Sequence, residues 1–153
     1  MLSSRYRALA LCLWSALAIM SLVMGCSAET RKARRLKAAE TYFQNKKYDE
    51  AAIEYMNALR LDPSNRVVIR QLGLTFLELG KSPQAALLLR KAADLDPEDL
   101  EIRVKLSALY LVNGLPQQAR ELAQYVLAKD AHQFDALLLL ADSSRESAEI
   151  GRF

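Results

Sequence analysis

The chain has 153 residues, of which 52% are hydrophobic and 25% charged, so it is long enough for one folded domain and is not of disordered composition. Leu (28) and Ala (23) make up a third of the residues, whereas Val, Ile and Thr total 14, which favours helices and excludes a β-sandwich or barrel. The net charge is +3, but from residue 26 onward 19 basic residues face 18 acidic ones, which argues against nucleic acid as the main ligand.

The N-terminal 25 residues have the pattern of an export signal. Arg5 and Arg7 precede an apolar run, Ala8 to Met24, that only two serines interrupt. The run is somewhat short for a membrane span, and an uncleaved signal anchor is the alternative interpretation.

The end of this run resembles a bacterial lipobox. Val23, Met24 and Gly25 precede Cys26. The cysteine thus follows an aliphatic residue, a position that tolerates many residue types, and a small residue. The resemblance implies cleavage between Gly25 and Cys26, a diacylglycerol on the Cys26 sulfur and an acylated amine. It predicts a signal peptide over residues 1–25 and a lipidated tether over 26–31. Because Ser27 stands where the family's retention signal has Asp, the resemblance implies the outer membrane, facing the periplasm; the outer face of the cytoplasmic membrane is the alternative.

A basic segment follows the predicted lipidation site. Residues 27–47 contain seven basic and two acidic residues, a net charge of +5. One interpretation is that the start of the first helix touches anionic headgroups. The other is that these charges form the solvated outer face of a terminal helix. The basic residues concerned are Arg31, Lys32, Arg34, Arg35 and Lys37.

The remainder of the chain repeats with a period of 34 residues. Pro63 and Pro97, each preceded by Leu-Asp, are one period apart, and so are Tyr42 and Phe76. Such spacing resembles the tetratricopeptide repeat. The resemblance implies an all-α fold, an α-solenoid of helix-turn-helix repeats. We predict three repeats, 32–65, 66–99 and 100–133, one further helix at 134–148 within a solenoid spanning 32–148, and a tail at 149–153.

Local signals within the second repeat agree with this scheme. Arg66 to Leu79 has the spacing of a one-faced helix, and Gly80 can end it in a left-handed conformation. Ser82 and Pro83 suit the start of a second helix. We predict Asp96 as the N-cap of the next repeat. Small residues are expected where paired helices approach closely, at Gly73, Ala51, Ala85 and Ala119.

The first helix of each repeat carries a second stripe beside its core face, and in the resembling family this face lines a peptide groove. The stripe is mostly apolar, with Arg70 as an isolated cation, so we expect an apolar client segment in which one acidic group pairs with Arg70. The alternative is that the stripe packs neighbouring helices together. The predicted groove residues are Leu36, Phe43, Arg70, Leu74, Leu77, Val104, Leu111, Val112 and Leu138.

Few residues of the sequence suggest catalysis or metal binding. His132, the single histidine, lies in a predicted turn, and both cysteines precede residue 27. We therefore expect no enzyme, no metal and no cofactor beyond the lipid on Cys26. The chain resembles tetratricopeptide lipoproteins of pilus, outer-membrane assembly or exosortase-type systems, which implies a membrane-anchored scaffold that holds other proteins. The alternative is a structural spacer or self-assembling protein without a client. The four consecutive leucines from Leu137 to Leu140 predict partial exposure and self-association.

Overall fold

The computed structural model describes residues 29–150, and the side-chain surroundings of residues 29–145. The predicted signal peptide, its cleavage site at Gly25 and the lipidation site Cys26 lie outside the described residues. Between residues 29 and 150 every regular element is an α-helix. The helices are α1 (29–44), α2 (Tyr48–Leu61), α3 (Arg66–Glu78), α4 (Ser82–Leu95), α5 (Leu100–Val112), α6 (Pro116–Lys129) and α7 (Phe134–Ile150).

The helices form pairs that stack along one direction. Successive helices from α2 to α7 pack against each other, and α5 also contacts α7. The predicted solenoid of three repeats and a further helix is confirmed. Two boundaries differ: α1 already includes residues 29–31, which were assigned to the tether, and α7 extends two residues beyond 148.

The turn inside each pair uses one left-handed residue at the same place in the period. Gly80 and Gly114 have φ of 67° and 70°, and Lys46 has φ of 59°. The residue after each donates its N–H to a carbonyl five positions earlier, as Lys81 does to Phe76 at 2.9 Å. The prediction for Gly80 is confirmed, whereas Lys46 adopts this conformation without the freedom of glycine.

The turn between repeats holds an aspartate and a separate helix cap. Asp62, Asp96 and Asp130 end α2, α4 and α6 as C-caps. Three residues later, Asn65 and Asp99 begin α3 and α5 by accepting the N–H of Val68 (3.1 Å) and Ile102 (3.2 Å). The prediction that Asp96 caps the next helix is therefore wrong. Its own N–H bonds to Ala92, which still belongs to the preceding helix.

Small residues are buried where paired helices meet, as predicted. Ala51, Ala85 and Ala119 are fully buried. A Cβ added to Gly73 would lie 2.9 Å from Leu89 Cδ2 and 3.2 Å from the Leu89 backbone nitrogen. A side chain at residue 73 would therefore require Leu89 to shift.

None of the helices between residues 29 and 150 combines the length and apolar character needed to cross a membrane.

Candidate peptide groove

The predicted groove residues lie along the four first helices of the repeats, α1, α3, α5 and α7. Their exposure differs strongly from residue to residue. Val112 is 85% exposed and Leu138 52% exposed, and neither is used by the core. Most of the others are half-buried: Leu36, Phe43, Arg70, Leu77, Val104 and Leu111.

Part of this stripe belongs to the core instead. Leu74 is only 9% exposed and lies in the buried cluster that joins α3, α4 and α5. This finding corrects its assignment to the groove. Phe43 and Leu77 pack against the same cluster with their buried sides. Leu74, and the buried sides of Phe43 and Leu77, thus pack neighbouring helices together, which was the alternative to a groove. Adjacent first helices need such apolar contacts to stack.

Arg70 is paired within the chain. Its Nε donates to Asp99 at 2.7 Å and its terminal nitrogen to Glu101 at 2.6 Å. Asp99 also caps α5, so one carboxylate holds both the helix start and the arginine. The prediction of an isolated cation is wrong, because stacking places the start of α5 beside the middle of α3. Lys105 also reaches Glu101, at 3.8 Å.

Two carboxylates of the same stripe have no cationic partner among residues 29–145. Glu40 on α1 and Glu78 on α3 are exposed, and no Lys or Arg of that range forms an ion pair with either. Burial raises the pKa of Tyr55 to about 12, and the negative charge of Glu40 adds to this rise. Burial also raises the pKa of Tyr48, with a further contribution from Glu78.

The remaining charges of the stripe lie on α7. Arg145 forms an ion pair with Asp142 at 3.5 Å. Asp135, three residues before Leu138 and therefore on the same face of α7, is exposed at the start of the helix, without a cationic partner in the described part of the chain. The stripe therefore combines exposed apolar side chains with carboxylates that have no ion-pair partner among residues 29–145.

The predicted membrane-facing residues lie at the opposite end of the solenoid. A cleft of about 620 Å³ there is lined by Arg31, Arg34, Arg35, Asn57, Arg60 and Leu61.

Lys32 and Arg35, which belong to the basic residues predicted to face the membrane, are paired within the chain. Lys32 donates to Glu29 at 2.9 Å and to Asp62 at 3.3 Å, and these bonds raise its pKa. Arg35 donates to both carboxylate oxygens of Glu54, at 3.0 and 2.9 Å.

Arg34 and Lys37 are exposed, and neither forms an ion pair with residues 29–145.

His132 is exposed in the turn before α7, and its backbone N–H donates to Asp130. Among the described residues no three His, Cys, Asp or Glu side chains are grouped to hold a metal ion.

Comparison with known proteins identifies the repeats. Two family models, both described as tetratricopeptide repeat, match residues 35–65 and 70–136. The chain carries tetratricopeptide repeats. A curated relative, the BBSome complex member BBS4 of Bos taurus, is 33% identical over 97 residues. The match covers 63% of this chain and 18% of BBS4, so the chain spans less than a fifth of that relative.

Solved tetratricopeptide structures share the fold at lower identity. The first repeat domain of Spaghetti (RPAP3), bound to the HSP90 peptide SRMEEVD, has a TM-score of 0.69 at 22% identity and covers 78% of this chain and 94% of its own. YrrB, described as having an unusual peptide-binding site, has a TM-score of 0.72 at 21% identity, covering 76% and 60%. A bacterial repeat protein from Parabacteroides merdae has a TM-score of 0.70 at 19% identity, covering 77% and 46%.

Proposed function

We propose that this protein is a membrane-anchored scaffold of the cell envelope, which holds an apolar segment of a partner protein along the row of first helices. The repeats themselves support a role in protein–protein interaction. The anchor and the envelope location rest on the lipobox resemblance of residues 23–26. An assembly or export system of the envelope is the setting that this combination favours.

The exposed apolar side chains of the stripe carry the proposal. Val112 and Leu138 are 85% and 52% exposed on α5 and α7, and Val67, which lies three residues before Arg70 on the same face of α3, is 50% exposed. A client that covers them removes apolar surface from water, worth about 25 cal/mol per Å². Similar structures hold peptides, as the HSP90 complex of Spaghetti does.

Site-specific photo-crosslinking in living cells tests the scaffold. We place a photoreactive amino acid at Val112 or at Leu138 in the full chain. The matched control is Leu87, which is 60% exposed but lies on a second helix, α4. We expect one foreign protein to crosslink at the groove positions and not at the control position. Crosslinks to the protein's own copies alone contradict the scaffold and support the spacer.

The anchor has its own test, through the mass of the mature protein. Replacement Cys26→Ala removes the sulfur that the lipobox resemblance identifies as the acylation site. We expect the wild-type chain to begin at Cys26 with a diacylglycerol and an amide-linked acyl chain, and the variant to keep its uncleaved signal. A mature species that begins at Cys26 without any lipid mass contradicts the anchor.

The self-assembling spacer remains the second candidate because of α7. Phe134 is 73% exposed and Leu137 46% exposed, so the predicted partial exposure of the leucine run is confirmed. We expect the full chain to form dimers by light scattering, and Leu137→Glu to shift them to monomers. Dimers that persist in this variant, or a wild-type monomer at high concentration, argue against self-assembly through α7.

A further inference from the structure

We infer that the groove selects apolar segments flanked by lysine or arginine and disfavours acidic segments. This inference rests on the proposed function and specifies the chemistry of its client. It follows from which charges on the stripe are already paired and which are not.

The two cations within the stripe, Arg70 and Arg145, are already paired. Arg70 donates to two carboxylates, at 2.7 and 2.6 Å, from Asp99 and Glu101. Arg145 is paired with Asp142. An acidic client would have to displace one of these intramolecular partners before it gained a cation. The displaced carboxylate would then lose its own partner, so the exchange brings little net stabilisation.

The unmatched charges of the stripe are negative. Glu40 on α1, Glu78 on α3 and Asp135 on α7 are exposed, and the ion pairs of residues 29–145 include none of them. They are distributed along the row, beside the apolar side chains at Leu36, Leu77 and Leu138. A segment with leucines at its centre and lysines around them can satisfy both kinds of surface at once, because lysine stems bend toward a carboxylate while their methylenes cover apolar surface.

Similar structures hold the opposite kind of peptide. The peptides bound to the two domains of RPAP3 end in the acidic sequence EEVD. Here Leu36 and Glu40 stand where members that recognise a free C-terminal carboxylate carry Lys and Asn. Glu40 adds a negative charge at that place and repels such a terminus. The fold is shared, whereas Leu36 and Glu40 offer no positive charge to such a terminus.

Binding of matched peptides tests the inference. The full chain is reconstituted in uncharged phosphatidylcholine nanodiscs, and empty discs serve as the blank. Three fluorescent probes are compared by anisotropy: a helix-forming peptide with four leucines and four lysines, the same peptide with glutamates in place of lysines, and SRMEEVD. We expect the lysine peptide to bind about tenfold more tightly than the glutamate peptide, since each of three exposed charge pairs changes from attraction to repulsion.

Two double variants assign the preference to the groove. Glu40→Gln with Glu78→Gln removes two carboxylates from the stripe. Glu50→Gln with Asp94→Asn removes two exposed carboxylates from the second helices α2 and α4 and changes the net charge equally. We expect the first pair to abolish most of the preference and the second pair to leave it. Salt should weaken binding of the lysine peptide to the wild type.

The outcomes separate the inference from the proposed function. Tighter binding of the glutamate peptide or of SRMEEVD overturns the inference and leaves the peptide groove intact. An equal loss of preference in both double variants also overturns it, because only the net charge then matters. If none of the peptides binds while the chain keeps its helicity, the groove itself is refuted, and the inference fails with it.

Discussion

Several residues that depart from the repeat pattern form new bonds in place of the missing packing. Arg103 stands where the family has a large apolar residue, and its guanidinium donates to the carbonyl oxygens of Ala93 (2.9 Å) and Pro97 (3.3 Å). It also lies 4.2 Å from the ring centroid of Tyr125. Ser107 replaces the usual glycine and donates to the Ala119 carbonyl at 2.7 Å. Both polar side chains therefore have hydrogen-bond partners within the solenoid.

Gly73 is the residue whose replacement tests the helix crossing most directly. We expect Gly73→Val to lower the free energy of unfolding by about 2 kcal/mol, because its side chain must enter the space held by Leu89. Urea unfolding followed by circular dichroism measures this change.

Gly73→Ala is the matched control for that substitution. Its single Cβ meets the same close contact with Leu89, and the higher helix propensity of alanine offsets this cost by about 1 kcal/mol. Ala39 holds the equivalent position in the first repeat and is fully buried. If Gly73→Val were as stable as Gly73→Ala, the space between α3 and α4 would accommodate a branched side chain.

At the scale of the helix, the side chains that begin α3, α5 and α7 follow the 34-residue period. Asn65 and Asp99 are N-caps one period apart, and at the third equivalent position Gln133 accepts the N–H of Ala136 at 2.6 Å. The starts of α3, α5 and α7 are therefore specified twice, by a capping side chain and by the register of the repeat, whereas α2, α4 and α6 begin without a side-chain cap.

Asp99 both caps α5 and accepts a hydrogen bond from Arg70 in the groove, and two substitutions separate these functions. We expect Asp99→Ala to destabilise the chain by about 1–2 kcal/mol, through loss of the α5 cap and of the bond to Arg70. Asp99→Asn keeps a side-chain oxygen for the cap and loses the negative charge. We therefore expect it to lower the free energy of unfolding by less than about 1 kcal/mol. Thermal unfolding of both variants checks this order. A larger effect of Asn than of Ala would contradict the role of the cap.

The sequence predicted the helices and their period well and the contacts between helices poorly. Hydrophobic spacing and the turn residues Gly80 and Pro83 are local signals, so α3 and α4 were predicted almost to the residue. The pairing of Arg70 with Asp99 depends on how α3 and α5 stack, which no local pattern specifies. The same applies to Leu74, whose burial depends on the neighbouring repeat. The N-caps could have been found by aligning positions 65, 99 and 133.

The two ends of the described solenoid differ in chemistry. The α1 end presents an arginine-lined cleft, with Arg34 and Arg60 exposed, whereas the α7 end presents Phe134 and Leu137. If lipid is attached at residue 26, the basic end lies nearest to the membrane. The apolar end then faces away from it.

Hydrogen exchange on vesicles tests this orientation. We expect the amides of residues 31–37 to exchange more slowly on anionic phosphatidylglycerol vesicles than on phosphatidylcholine, because each basic residue near the surface contributes about 1 kcal/mol of attraction. Arg34→Ser with Lys37→Ser should remove the difference, and so should high salt. Lys46→Ser with Lys47→Ser, in the turn that follows α1, is the control. Equal exchange on both lipids would favour the purely solvated face.

The serial packing of the helices has a mechanical consequence. Contacts run mainly between neighbours along the row, so a pull on the two ends of the solenoid passes through one interface after another instead of being shared by the whole core. A repeat that opens releases 34 residues, about 115 Å of extended chain. A solenoid fixed at one end and loaded at the other is therefore an extensible link, which lengthens stepwise under tension while its remaining repeats stay folded.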